Sequence, residues 1–277
     1  MSPSSAARTN LDSTNVKITN KKLGEGTFRV CLKGKYLGGN RNQQVAACKR
    51  FKPEWRAMED EYFASDFRVA ETAIYYAEKW NRRSDRKRDE KILVTKGHLI
   101  TSNSGLKYLA EPVIREYKKF TSNSGWINSD GTWMTDAMEA FSHYTYHKSG
   151  GQLLVCDLQG RYRDNRRYGS NSKSRFELTD PAICSRSRSY GVTDLSEKGI
   201  ESFFANHSCN GFCQSHWLRP RLQRRWFPSS SATSMFSSSV AHTLKSSNRT
   251  QFVIGRLGAI VEKSNGYDYS SSDDDSW

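Results

Sequence analysis

Four polar residues at strand-like positions could share one reaction. Lys49 interrupts the apolar run VAACKRF, Asp157 and Gln159 stand in CDLQG, and Asp180 stands in LTDP. Phosphoryl transfer uses such a set: a cation against phosphate oxygens, oxygen ligands for Mg2+, and a carboxylate that orients the attacking hydroxyl. On one strand, residues two apart such as Asp157 and Gln159 point to the same face. A lysine in an apolar strand must reach solvent or meet a negative charge, and an ATP phosphate would be such a partner. The plainer readings are a lysine at a strand edge, an aspartate at a strand end and an Asp-Pro turn.

Two further clusters carry chemistry. In KKLGEGTFR, Gly24 and Gly26 would let backbone N–H groups approach phosphates closely, with Arg29 as a nearby positive charge. The same residues would also suit a hairpin with no ligand. The run HSCNGFC packs His207, Cys209 and Cys213 together. By itself it is half of a metal site or a histidine that falls near two cysteines.

The elements that must position these residues can be read from periodicity. The stretch NVKITNKKLGEGTFRVCLKGKYLGG and then QQVAACKRF alternate like paired strands joined by Gly/Asn turns. Residues 58–81 read as a helix whose Phe63, Phe67, Ala70, Ile74 and Ala77 share a face. LKYLAEP is a further short strand. TDAMEAFSHYTYHKSG is helical into a Ser-Gly-Gly stop, and QLLVCDLQG reads as one buried strand. TDLSEKGIESFFANHSC has an acidic first turn and an Ile200, Phe203, Phe204, His207 face, so a helix delivers the cysteine run.

The chain of 277 residues carries 43 Lys and Arg against 29 Asp and Glu, a formal charge of +14. That balance suits an acidic partner without choosing one. There is no apolar leader and no run long enough to span a membrane, so a soluble, intracellular, cytoplasmic protein is expected. Six cysteines are too few and too unevenly spaced for a disulfide framework, which leaves reduced thiols or metal ligands. Residues 1–15 and 228–277 are rich in Ser, Thr and Asn and are expected to be mostly disordered. Within the second tail, QFVIGRLGAIVE could form a short docked element.

The order of hairpin, lysine strand, SNSGW, FSHYTYHKSGGQLLVCDLQG, LTDP and GIESFFANHSCNGFC, over residues 17–215, resembles the alpha-kinase family of atypical protein kinases. The resemblance implies an α+β, two-lobed kinase-like fold: an N-terminal lobe over 16–110, a C-terminal lobe over 111–227, and ATP between them. It implies a protein serine/threonine kinase with protein substrates. Lys49 and Arg29 would hold phosphates below Gly24 and Gly26, and the strand at Glu111 would meet adenine. Asp157 would be the catalytic aspartate, with Gln159 and Asp180 on Mg2+. A structural zinc would join His143, in FSHYTY, to His207, Cys209 and Cys213, a closed N2S2 set with no open position; His147 is a competing ligand.

Two departures stand out against the family pattern. The stretch RYRDNRRYGSNSKSRFE, residues 161–177, is inserted between DLQG and LTDP, and Ser196 stands where glycine is more usual. Neither removes a catalytic group. A catalytically idle ATP-binding scaffold is the alternative reading, and a zinc-stabilised nucleic-acid binder is disfavoured by the complete set of lysine and acids.

Overall fold

The computed structural model describes residues 7–8, 15–26, 28–86, 88–164, 174–235 and 260–262. In chain order the elements are β1 (Ala7–Arg8), β2 (Val16–Glu25), β3 (Arg29–Tyr36), β4 (Val45–Phe51), α1 (Glu59–Asn81), β5 (Lys91–Thr95), β6 (His98–Thr101), β7 (Lys107–Pro112) and β8 (Lys118–Lys119). They continue with α2 (Trp133–Lys148), β9 (Leu153–Cys156), β10 (Gln159–Arg163), β11 (Arg175–Leu178), β12 (Ala182–Ser185), α3 (Ser196–Asn206), β13 (Thr233–Met235) and β14 (Ile260–Glu262).

Among the described residues, one five-stranded sheet has the order β2-β3-β4-β7-β6 and a second the order β1-β5-β11-β10-β8. The first is antiparallel throughout and contains the expected hairpin and lysine strand. Its register sets Cys31 opposite Lys49 and Lys49 opposite Leu109, so the lysine lies on a central strand and not at an edge. β2 slips register twice, between Ile18 and Lys22 and between Lys22 and Gly24, which bends the strand as it enters the glycine hairpin.

Helix α1 starts with Glu59, Asp60 and Glu61, whose charges suit the positive end of the helix dipole. Its buried side chains Val69, Ala73, Ala77 and Trp80 recur every three or four residues. The buried face is rotated from the expected one: Val69 and Ala73 are buried, whereas Phe67 and Ala70 are only partly covered. The first turns pack Tyr62 and Phe63 against Phe51 of the first sheet. The later turns join Ile92 and Val94 of β5, Phe141 of α2 and Phe176 of β11 in the largest core. Phe141 and Phe176 are essentially sealed from water, each worth about 1.5–3 kcal/mol of burial. α1 therefore bridges both sheets, and β5 pairs with β11 in the second one.

The expected single strand QLLVCDLQG is two strands, β9 and β10, broken at Asp157 and Leu158. Across from it, β11 and β12 are broken around Asp180. Register is continuous over the break: Cys156 lies opposite Ala182 and Gly160 opposite Leu178. This is one long antiparallel hairpin interrupted on both arms at one level, where Asp157 has φ 56° and Asp180 φ 45°. Left-handed backbone outside glycine costs on the order of 1–3 kcal/mol, least for Asp and Asn. A periodicity reading does not see the break, because apolar residues stand on both sides of Asp157.

The inserted stretch supplies the far half of this hairpin, since Arg161–Arg163 and Arg175–Glu177 pair in β10 and β11; residues 165–173 lie outside the described ones. Beyond residue 235, and apart from 260–262, the tail expected to be disordered also lies outside them, as do residues 1–6 and 9–14 of the N-terminus. No helix among the described residues is long and apolar enough to cross a membrane.

Candidate active site and His/Cys cluster

The interrupted hairpin brings the sequence-predicted acids to the lysine strand. Lys49 Nζ lies 2.7 Å from Glu111 Oε2 and also contacts Asp180 Oδ2. Glu111 is buried on β7 beside β4, and Thr179 adds a hydroxyl 3.4 Å from the same Oε2. Burial works against the Lys49 charge, but Asp180 and then Glu111 outweigh it and hold its pKa well above the ordinary lysine value. Burial, and then Asp180, push the Glu111 carboxyl up in spite of Lys49. Two carboxylates thus crowd one ammonium, an arrangement that favours one more positive charge nearby.

Asp157 and Gln159 come together although they are not on one strand. Gln159 Nε2 lies 3.4 Å from Asp157 Oδ2 and donates to the Asp180 carbonyl at 2.8 Å, while Gln159 Oε1 accepts from the Tyr117 hydroxyl. Gln159 therefore ties the two kinks together. Gly160 explains how the arms close up: at φ 148° any side chain would place its Cβ 2.0 Å from the Glu177 carbonyl oxygen. Asp157 is 1% exposed and meets the Lys119 ammonium 2.8 Å from Oδ1, an ionic contact from β8.

Lys119 and Tyr117 were not among the residues singled out in the sequence. Their only signal is REYKKF just before SNSGW, in which alternation sends one of the paired lysines inward.

The glycine hairpin lies at the edge of this site. Gly26 donates to the Arg29 carbonyl at 2.9 Å, and Gly24 pairs with Cys31. Arg29 is held at 2.6 Å by Asp66 of α1 and sits 4.3 Å over the Phe51 ring. Burial raises the pKa of Asp66 against the pull of Arg29. The Asp66 carboxylate thus competes with any phosphate for the Arg29 charge.

The second cluster lies at the other side of the larger core. His143 on α2 and His207, Cys209 and Cys213 after α3 place one ligand atom each within 4.8 Å of all the others. His207 Nε2 is 3.2 Å from His143 Nδ1, Cys209 Sγ 3.7 Å from His143 Nδ1, and Cys213 Sγ 3.6 Å from His207 Nε2. The far nitrogens are fixed as well: His207 Nδ1 lies 2.8 Å from Glu139 Oε2 and His143 Nε2 3.0 Å from the Leu218 carbonyl. A carboxylate and a carbonyl behind the rings set both tautomers and aim the inner nitrogens at one point. Burial, and then His207, hold the His143 pKa down to about 4, so its ring is neutral as a ligand must be. His147 stands apart, accepting from the Leu218 N–H at 3.3 Å.

A lysine and acids gathered at a doubly kinked hairpin, near a glycine-bearing hairpin on the other sheet, are the kinds of group that phosphoryl transfer uses. The model of the Alpha-kinase family matches residues 24–213, well over half of the chain. The chain belongs to the alpha-kinase family. It is 28% identical over 218 residues to eukaryotic elongation factor 2 kinase of Rattus norvegicus, covering 76% of this chain and 28% of that protein. It is 30% identical over 206 residues to myosin heavy chain kinase B of Dictyostelium discoideum, covering 73% of this chain and 25% of that one. The match thus spans about a quarter of the length of these relatives. The fold is similar to the alpha-kinase domain of myosin-II heavy chain kinase A in complex with AMP-PNP, with TM-score 0.57, 21% identity, and coverage of 72% of this chain and 85% of that one.

Proposed function

We propose that this chain is an ATP-dependent protein serine/threonine kinase that transfers the γ-phosphoryl group to Thr or Ser of intracellular proteins. The observation that carries the reading is the meeting of Lys49, Glu111, Asp180, Gln159 and Asp157 at the level where both hairpin arms break. Similarity to elongation factor 2 kinase and myosin heavy chain kinase B supports it.

In this reading Lys49 binds phosphate oxygens of ATP, and Glu111 keeps the ammonium charged and aimed. Gln159 and Asp180 supply the oxygen ligands, of the kind Mg2+ prefers. A Mg2+ held there would supply charge neutralisation at the phosphate oxygens. Asp157, anchored by Lys119, accepts the hydrogen bond of the acceptor hydroxyl and takes its proton. Gly24 and Gly26 cover the phosphates, and Arg29, paired with Asp66, adds positive charge nearby. Because the Glu111 carboxylate is committed to Lys49, contact with the base falls to the backbone of β7. The cleft then divides the chain near residue 110, between an N-terminal lobe and a C-terminal lobe that takes in β5 through its pairing with β11.

The His143, His207, Cys209, Cys213 set fits a structural Zn2+. Two imidazoles and two thiols make a closed tetrahedral N2S2 donor set, and both rings are oriented from behind. It would tie α2 to the segment after α3, away from the reacting groups.

The deciding assay is phosphoryl transfer from labelled ATP to a Thr-containing helical peptide, with Asp157→Ala as control. Transfer by the natural protein and not by the variant is expected. Equal transfer by both would overturn the reading. A nucleotide-dependent rise in melting temperature with no transfer would favour the idle scaffold.

A further inference from the structure

The cysteine run leads into RPRLQRRWF, residues 219–227, a basic stretch that the reacting groups do not use. It lies against α3 and is fastened at both ends. Pro220 is buried, and Arg219 donates to the His207 carbonyl at 3.2 Å. Trp226 donates its backbone N–H to Ser202 Oγ at 3.0 Å and its indole N–H to Glu201 Oε2 at 2.5 Å. Between these anchors residues 221–225 are exposed and belong to no helix or strand.

The charge of this strap is uncompensated. No Asp or Glu stands between Glu201 and Glu262, and none of Arg219, Arg221, Arg224 and Arg225 has a carboxylate partner among the described residues. Like charges so close repel one another until an acidic partner arrives. The strap also shows apolar surface: Leu218, Leu222 and Trp226, at 47%, 54% and 36% exposure, are half of the large apolar side chains exposed among the described residues. An apolar patch rimmed by charge marks an interaction surface.

Three kinds of acidic partner suit such a charge, and the contacts choose among them. A nucleic acid strand needs aromatic faces on which its bases stack. The Trp226 ring is instead taken by Arg224 at 4.5 Å and Lys198 at 4.9 Å. An anionic bilayer would take up the leucines only together with main-chain groups of Arg221, Leu222 and Arg225, which are unpaired among the described residues and which hydrocarbon does not satisfy. An extended protein segment meets every feature. Its carboxylates pair with the arginines, its apolar side chains cover Leu218 and Leu222, and its main chain pairs with the open groups of the strap.

We propose that residues 218–226 form a docking surface for an acidic, extended segment of another protein. On the kinase reading above, which this inference extends, the segment belongs to the substrate and recruits it from outside the cleft. The chain itself measures the separation. Seven residues after Trp226, the Thr233 hydroxyl donates to Asp157 Oδ2 at 2.7 Å. Asn123 holds the next residue, accepting from the Ser234 N–H at 2.8 Å and donating to its carbonyl at 2.7 Å. Seven extended residues span at most about 25 Å, so one substrate chain can reach both places.

The test has a binding arm without nucleotide and a transfer arm. The probe is a fluorescein-labelled peptide of Asp, Leu and Ser, read by anisotropy against the full chain. Binding is expected to weaken with salt, to vanish for a counterpart with Asn in place of Asp, and to weaken about tenfold in the double variant Arg221→Gln, Arg225→Gln, as the loss of two exposed ion pairs would give. Neither arginine holds a partner among the described residues, so the melting temperature of the variant should stay unchanged. In the transfer arm the Thr-containing peptide is joined to the acidic segment by a Gly/Ser linker of about twenty residues, whose mean span is near 25 Å. Its KM should rise about tenfold in the double variant with kcat unchanged, while the bare Thr peptide is indifferent to the change. Equal binding of the Asn counterpart, or full affinity in the double variant, would overturn the proposal. So would tighter binding of single-stranded RNA or phosphatidylserine vesicles to the same arginines. Tighter binding of the probe after removal of residues 264–277, which carry four Asp and no Lys or Arg, would overturn it in favour of the chain's own tail. Probe binding by a protein that transfers to neither peptide would overturn the kinase reading and leave the docking surface standing.

Discussion

The cleft and the His/Cys cluster each tie distant segments of the chain together, and they do so by opposite means. At the cleft, Lys49 is shared between Glu111 and Asp180, two aspartates hold left-handed backbone, and Gln159 spans the kinks. Under the proposed function the two ion pairs of Lys49 are the contacts a phosphate and a cation would replace. At the cluster, four donors converge on one point, and the outer nitrogens of His207 and His143 are committed to Glu139 and Leu218. Nothing there is left for a substrate. If the proposed function holds, the difference separates groups that change partners from groups that keep them.

The largest effect that would break this contrast comes from Asp157→Asn, which keeps shape and tolerates the left-handed backbone. Peptide phosphorylation should fall by about 10²–10⁴-fold, the usual contribution of a general base, while far-UV circular dichroism and metal content stay unchanged. Substantial remaining transfer would place the base elsewhere.

Cys213→Ser, or a strong chelator, should act in the reverse way. The loss expected is about 4–5 kcal/mol of stability, the range reached when a structural metal is removed. At roughly 2–4 °C per kcal/mol for a domain of this size, the melting temperature should drop by about 10–20 °C. Metal analysis of the purified protein reads the same site directly. Acid should weaken it too. His143 is neutral in the fold down to about pH 4, whereas an unfolded histidine takes its proton near 6.5. The unfolded state then binds more protons between these values, so stability is complete above pH 6.5 and declines as pH falls toward 4.

Gly160→Ala sharpens the comparison at the hairpin. A Cβ there would meet the Glu177 carbonyl oxygen, and separating the arms should cost about 1–3 kcal/mol, as overpacking does. Because Gln159 and the kinks move with the arm, transfer should fall more steeply than stability, which parallel assays of rate and denaturant midpoint would show.

The smallest effect belongs to the entrance of α2. Asp130 Oδ1 accepts from the Thr132 N–H and from the Thr132 and Thr135 hydroxyls, and its other oxygen meets Lys118. Burial opposes its charge, but Lys118 and the Thr132 N–H hold the pKa down to about 2. The stabilisation is present above the unfolded value of 3.8 and is lost as pH falls through about 2. Asp130→Asn should cost about 1 kcal/mol at neutral pH after allowing for solvent screening, and little at pH 2.

Residue type and spacing were enough to bring forward Lys49, Asp157, Gln159, Asp180 and the run of His207, Cys209 and Cys213, because each breaks a local rule: a charge in an apolar strand, acids at strand ends, two thiols beside an imidazole; His143 came forward only through the family resemblance. The geometry joining Asp157 to Asp180 was not legible, since LLVCDL has the same apolar periodicity whether or not the backbone turns left-handed within it. Lys119 and Asn123 stayed hidden for another reason. Their partners Asp157 and Ser234 are 38 and 111 residues away, and no local pattern encodes a contact of that span. Thr233 lies in a serine-rich run whose composition argues for disorder, and only its contacts with Asn123 and Asp157 distinguish it.

The continuous register of the broken hairpin also bears on how such a chain can vary in length. Side chains on a strand alternate, so adding one residue between Cys156 and Gly160 would exchange the inward and outward positions of that arm. At the far end, beyond Arg163 and Arg175, extra residues shift nothing that the acids depend on, because both arms are already aligned before the chain reaches them. The stretch of sequence between Arg163 and Arg175 is therefore the place where a tag, a reporter or a foreign loop can be grafted with the reacting groups left in position.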